Sequence, residues 1–195
     1  ITAQGGDCLT ADIDIRRDAT GLGVPLSALG VFYRPTPLTQ DEVLNTAKRV
    51  IIAEAIDNPS NIGAIVRCAT GLGWDGLICD TTSADPLSRR ALRVSMGAAF
   101  NFRFARSNNI AETLQNLNQR GFAVLALTPN NLATNLSKVI LEPNRPRALV
   151  FGSERAGLSD EALASANYQV RIEMNPAIDS LNVAAAAAIA CYALR

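Results

Sequence analysis

The 195-residue chain contains no histidine. That removes every His-based catalytic triad and most zinc-site patterns. Any acid–base chemistry must come from Asp, Glu, Lys, Arg, Tyr, Cys or the substrate itself. Cysteine is sparse: Cys8, Cys68, Cys79 and Cys191 stand apart, with no C-x-x-C pair. Scattered cysteines of this kind read as buried thiols in a reducing compartment. The expected location is therefore cytoplasmic, and no metal is expected. No apolar run approaches the ~18 residues of a membrane span. Residues 1–6 lack the charged and apolar regions of a signal peptide, and the start at Ile1 reads as trimmed. Net charge is lacking too. Eighteen Lys and Arg balance 18 Asp and Glu, so there is no global polyanion-binding signal.

What is present is apolar material in a regular alternation. Apolar residues make up 48% of the chain, enough for a substantial core in one good-sized domain. Residues 50–55 form a mostly apolar run suited to a central strand. Residues 61–72 place Ile62, Ile65, Val66 and Ala69 at the spacing of one helix face. Further strands are predicted at 76–79, 122–127, 148–151 and 169–172, and helices at 86–95, 111–119, 159–166 and 181–194. This order implies an α/β fold, a mostly parallel sheet with helices on both faces. Residues 1–47 read differently. Asp12-Ile13-Asp14-Ile15 alternates as a half-buried strand does. Turn material follows at 21–25, then a short strand at Val31-Phe32-Tyr33 and a short helix capped by Thr39. This segment is a connector or the remnant of an upstream domain, with 48–195 as the main domain.

Three loops follow predicted strands directly: 128–131, 152–157 and 174–180. In a parallel sheet those carboxyl ends share one edge, where ligands bind. The three loops are therefore predicted to converge. In Met174-Asn175-Pro176-Ala177-Ile178-Asp179-Ser180-Leu181-Asn182-Val183 an irregular segment opens a long apolar helix. Ser180 and Asn182 stand at its start, where they can cap the helix, hold a small ligand, or do both. Gly152-Ser153-Glu154-Arg155-Ala156-Gly157 reads as a turn with a surface Glu–Arg pair. It reads equally as a site where Gly152 admits a planar ligand and Glu154 orients a group. After the first strand, Asn61 is a candidate helix cap and Gly63 permits close backbone approach. Arg67 suits a surface ion pair, or a guanidinium aimed at phosphate or a ribose hydroxyl. Gly71-x-Gly73-x-x-Gly76 matches a dinucleotide fingerprint by letter, but a helix precedes it and a strand follows. It is read as a helix-stop turn. Between Pro86 and Ile110 there are five arginines (Arg89, Arg90, Arg93, Arg103, Arg106) and no Asp or Glu, the one candidate basic stripe.

Asn61-x-Gly63-x-x-x-Arg67, Gly152-Ser153-Glu154-x-x-Gly157-Leu158 and Ser180-Leu181-Asn182-Val183 occur in a telling order and spacing. In them the chain resembles the three motifs of the SpoU (TrmH) RNA 2′-O-ribose methyltransferases of the SPOUT superfamily. Arg93-Val94-Ser95-Met96-Gly97-Ala98 is similar to the segment that family has between its first two motifs. The resemblance covers about residues 49–195. It implies a C-terminal trefoil knot forming an S-adenosylmethionine pocket, and a homodimer with sites at the interface. The implied reaction is methyl transfer from S-adenosylmethionine to a ribose 2′-hydroxyl of structured RNA, with ribosomal favoured over transfer RNA. By resemblance, Arg67 assists deprotonation of that hydroxyl and Asn61 positions the same region. Glu154 and Ser180 support the active centre, and Asn182 orders the loop. The cofactor would rest near Leu127, Thr128, Gly152, Ile172, Met174 and Leu181. Arginine is a poor base at its usual pKa, so Arg67 can instead stabilise a developing alkoxide.

Many family members carry a small RNA-binding domain ahead of the catalytic one, and residues 1–47 would be its end. Arg89, Arg90, Arg93, Arg103 and Arg106 are then the remaining candidates for RNA phosphate contact, against a plain solvated basic face. One loop departs from the family: Glu173 stands where proline is usual and Pro176 where glycine is usual. That departure motivates the alternative, a non-catalytic RNA-binding protein retaining the fold. A nucleotide-cofactor oxidoreductase on an ordinary doubly wound sheet is the other rival. The misplaced glycine motif and the intact Ser-Leu-Asn count against it.

Overall fold

In the computed structural model the described residues are 6–21, 27–175 and 177–195. The chain divides into two units, Ile1–Thr36 and Pro37–Arg195. The first contains helix α1 (Ile13–Thr20), which closes on Gly21 in the left-handed conformation. The strand expected at Asp12-Ile13-Asp14-Ile15 is therefore a helix. Four alternating residues fit either period. Here an Asp14–Arg17 pair at 2.8 Å, three residues apart, and the Gly21 stop favour the helix. Val31, Phe32 and Tyr33 are exposed and form no strand. The rest of the predicted turn at 21–25 lies outside the described residues.

The second unit is built on a seven-stranded sheet. Its strands are β1 (Arg49–Ala53), β2 (Gly76–Asp80), β3 (Arg103–Ser107), β4 (Ala123–Leu127), β5 (Thr134–Asn135), β6 (Arg147–Phe151) and β7 (Tyr168–Arg171). The order is β3-β2-β1-β6-β4-β7-β5, and the pairings are parallel. The apolar runs are continuous because both faces are covered. Ile51, Leu125 and Leu149 face one core, with Ile62, Ile65 and Val66 from α3 (Pro59–Gly71) and Ala187, Ala190 and Cys191 from α7 (Val183–Ala193). Val50, Ile52, Val124 and Val150 face the other. There they meet Val43 and Leu44 of α2 (Gln40–Leu44), Leu114 and Leu117 of α5 (Ile110–Gln119) and Ala162 of α6 (Asp160–Ser165).

The punctuation of the helices follows from short polar residues. Thr39 caps α2 in a capping box with Glu42, as expected. Ser159 caps α6. The cap of α3 is Asn58, not Asn61: the Asn58 side chain accepts the Ser60 N–H at 2.9 Å, with Pro59 at the first helical position. Capping by Asn58 leaves the Asn61 side chain free for other contacts. The Gly71–Gly76 stretch is the helix-stop turn expected, with Gly73 at φ +74° and Trp74 N–H returning to the Ala69 carbonyl. The helix expected over 86–95 is shorter, α4 (Arg89–Val94) capped by Ser88. It lies against α3 at Gly63, where a Cβ would sit 2.5 Å from the Ala91 carbonyl oxygen. The sequence reading missed β3 and β5. β3 is an edge strand rich in arginine, and β5 has only two residues.

Candidate active site

The three loops do converge. A cavity of about 690 Å³ opens at the carboxyl edge of β4, β6 and β7. Its wall comes from Leu127, Thr128 and Pro129 after β4, from residues 151–158 after β6, and from Ile172, Met174 and residues 179–183 after β7. Leu127, Leu158, Ile172, Met174 and Val183 make much of the wall apolar. That size and lining suit a small organic ligand. All six residues assigned by resemblance to the cofactor, namely Leu127, Thr128, Gly152, Ile172, Met174 and Leu181, line it.

One side of the cavity carries a closed ring of three polar side chains. Asn61 Nδ2 donates to Glu154 Oε1 at 2.8 Å. Asn182 Nδ2 donates to the same oxygen at 2.9 Å and to Asn61 Oδ1 at 3.3 Å. The carboxylate only accepts, so it fixes the orientation of both amides. Asn182 Oδ1 meanwhile accepts the Ala184 N–H at 2.9 Å. One residue therefore caps α7, as the sequence allowed, and joins this ring. Asn61 is buried, and its position is set by α3. Glu154 has not formed the surface pair with Arg155 that the turn reading offered. It points instead to the two asparagines.

The Glu154 loop is shaped by its glycines. Ser153 and Gly157 exchange both backbone hydrogen bonds, at 3.1 and 3.0 Å, and Gly157 takes φ +72°. A Cβ on Gly152 would lie 2.3 Å from the Gly157 carbonyl. The backbone that approaches Gly152 so closely is thus the loop's own.

The other expected residues are placed unevenly. Ser180 lines the cavity and is exposed. Arg67 does not line it. It is exposed on α3, with no hydrogen bond or ion pair among the described residues. Glu173 turns to Asn135, whose amide donates to it at 3.3 Å, and it too is absent from the cavity wall. Pro176 lies outside the described residues. In the arginine stretch, Arg103 donates to the Glu42 carbonyl, and Arg106 donates to the carbonyls of Asp80 and Ser83 at 2.6 and 2.8 Å. Arg90 donates to Ser60 Oγ at 2.5 Å, and Arg89 is also engaged. Arg93 is exposed and makes no such contact among the described residues.

Sequence reasoning overlooked Arg155 and Asp179, both on the cavity wall. Their places inside two motif loops were the available signal. Two of the four thiols are buried. Burial pushes Cys79 and Cys191 up to about 12, far from the thiolate form at neutral pH. Cys8, by contrast with the expectation of buried thiols, is exposed. No helix among the described residues is long and apolar enough to cross a membrane.

Comparison with known proteins agrees with this geometry. Residues 48–192 match the SpoU rRNA Methylase family. An uncharacterized tRNA/rRNA methyltransferase of Mycobacterium bovis is 36% identical over 193 residues, covering 98% of this chain and 67% of that protein. Among solved structures, the AdoMet-bound rRNA methyltransferase of Sinorhizobium meliloti superposes with a TM-score of 0.72 at 26% identity, over 81% of this chain and 60% of that one. The SpoU methyltransferase AviRb of Streptomyces viridochromogenes, in complex with AdoMet, gives 0.71 at 25% identity, over 81% of this chain and 64% of that one. The chain thus spans less than two thirds of the length of either solved structure. With one residue of each motif in one ring beside one cavity, and the match running over most of the second unit, the chain belongs to the SpoU rRNA Methylase family.

Proposed function

We propose that this chain transfers a methyl group from S-adenosylmethionine to a ribose 2′-hydroxyl of structured RNA, with ribosomal RNA favoured over transfer RNA. The observation that carries the reading is the Asn61–Glu154–Asn182 ring standing beside an apolar cavity at the carboxyl edge of the sheet. The wall formed by Leu127, Thr128, Gly152, Ile172, Met174 and Leu181 fits the cofactor in size and in its apolar character. Bound there, S-adenosylmethionine supplies an electrophilic methyl on a sulfonium. Glu173, one of the two residues that depart from the family, bonds to Asn135 and does not line this wall, which favours an enzyme over a retired scaffold.

The chain's own residues have separable tasks. Glu154 holds Asn61 and Asn182 in one arrangement, so the 2′-hydroxyl meets fixed groups without reorganisation. Ser180, exposed at the cavity, offers a hydroxyl to the ribose. Arg67 brings positive charge to the developing alkoxide; phosphate or water takes the proton, because guanidinium is a poor base. Since Arg67 does not line its own chain's cavity, the reading includes a homodimer with the site at the interface. It also includes the trefoil knot around the cofactor wall. Arg93 and the rim of the arginine stretch make the RNA phosphate contacts.

The test is transfer of labelled methyl from S-adenosylmethionine to total RNA, followed by nucleoside analysis. Label in 2′-O-methyl nucleosides, lost in R67A, supports the reading. Label on a base sinks the ribose assignment. RNA binding without transfer or cofactor binding revives the non-catalytic alternative.

A further inference from the structure

One residue outside the cavity, Glu54, holds both ends of the loop that carries Glu154. Glu54 directly follows β1. Its backbone N–H donates to the carbonyl of Phe151, the residue before Gly152, at 2.9 Å. Its carboxylate takes the other end. Oε2 accepts the Ser159 N–H at 2.9 Å, and Oε1 accepts the Ser159 hydroxyl at 2.7 Å. Ser159 Oγ in turn accepts the Ala162 N–H at 3.1 Å, capping α6. Glu54 is half-buried and forms no part of the cavity wall. A half-buried carboxylate is costly unless donors meet it, and its donors here both come from Ser159.

The loop's internal bonds set its shape but not its seat. Ser153 and Gly157 close the turn on themselves, and the Ala156 N–H adds a bond to Ser153 Oγ at 3.0 Å. None of these ties the turn to the sheet. The backbone bond at Phe151 and the two carboxylate bonds at Ser159 do, and all three belong to one residue.

We propose that Glu54 is a positioning residue, which sets the span of residues 152–158 and thereby the place of Glu154. The proposal rests on the reading of Glu154 as part of the methyl-transfer centre. Loss of the carboxylate frees the Ser159 end of the loop, and a shift near 1 Å at Glu154 breaks its bonds to both asparagines. Misplacement on that scale costs on the order of 10²-fold in rate.

The experiment compares E54A, E54Q and S159A with the parent chain. Amide hydrogen exchange is expected to quicken about tenfold or more over residues 152–158 in E54A, with β2 and β4 unchanged. Methyl transfer falls about 10–100-fold. E54Q, whose carbonyl still accepts the Ser159 N–H, recovers most of both losses, and S159A reproduces part of them. In an E154A background, E54A causes little further loss of transfer, because its effect passes through Glu154. Parent-like exchange over 152–158 in E54A overturns the proposal. So does an even rise in exchange over the whole sheet, or a full additive loss on E154A. Should the parent chain transfer no methyl group, the methyltransferase reading fails separately, and the exchange data still decide whether Glu54 seats the loop.

Discussion

Two polar clusters sit at the carboxyl edge of the same sheet and put their hydrogen bonds to different use. Beyond β2, the Asp80 carboxylate accepts the Ser83 N–H at 2.8 Å and the Thr82 hydroxyl at 2.5 Å. Ser83 Oγ accepts the Ile56 N–H at 3.0 Å, and Arg106 holds the Asp80 and Ser83 carbonyls. Nearly every bond there ends on backbone, so the cluster ties two loops together and leaves nothing to offer a ligand. Beyond β6, Glu154, Asn61 and Asn182 bond to one another, and Glu154 Oε2 has no partner among the described residues. A polar cluster that closes on backbone holds the fold. One that closes on side chains beside a cavity keeps capacity for a substrate.

The sharpest way to break that contrast is E154A. Methyl transfer should drop about 100-fold or more while thermal unfolding moves by only a few degrees; a large fall in Tm with activity retained would place Glu154 with the Asp80 type of cluster. G152A comes next. Its Cβ would meet Gly157 at 2.3 Å, so the loop must open. Calorimetric titration should show at least about tenfold weaker S-adenosylhomocysteine binding, with a stability loss of about 1–3 kcal/mol.

The Asp80 cluster is tested by acid. Partial burial raises the Asp80 pKa, but the hydrogen bonds from Ser83 and Thr82 outweigh it and hold the carboxyl below its ordinary value. A lowered folded pKa adds stability above the unfolded value near pH 4, and that stability is lost as pH falls through the folded pKa. Denaturant unfolding should therefore show D80N less stable than the parent near neutral pH and less sensitive to acid, with transfer almost intact. An acid profile identical to the parent's would remove Asp80 from the account. The smallest effect separates two arginines of one stretch. R93A should leave Tm unchanged and reduce the salt slope of RNA binding by about one. R106A should lower Tm, because it releases two backbone carbonyls.

Much of the sheet could be read from the chain because its apolar runs stand between clear local signals. The runs leading into Ala53 and Phe151 are each followed by a helix period, and the run into Leu127 is preceded by the Gly121 helix stop. The failures were short or at an edge. Asp12-Ile13-Asp14-Ile15 is too brief to separate a period of two from 3.6. Arg103 and Arg106 read as a surface stripe because an edge strand with one neighbour, β2, needs little apolar sequence. Their guanidinium groups found carbonyls that no linear pattern announces.

The sequence by itself determined most elements of the second unit, their α/β alternation and the identity of the motif residues, since propensity, periodicity and capping act over a few neighbours. Only the tertiary structure decided that Asn58 caps α3 and frees Asn61, and that Asn61 meets a carboxylate 93 residues away and an asparagine 121 residues away. It alone decided that Glu54 reaches Ser159 across 105 residues. Those meetings depend on β6 lying between β1 and β4. Strand order is set by how whole faces bury against one another, and no local window of the chain contains it.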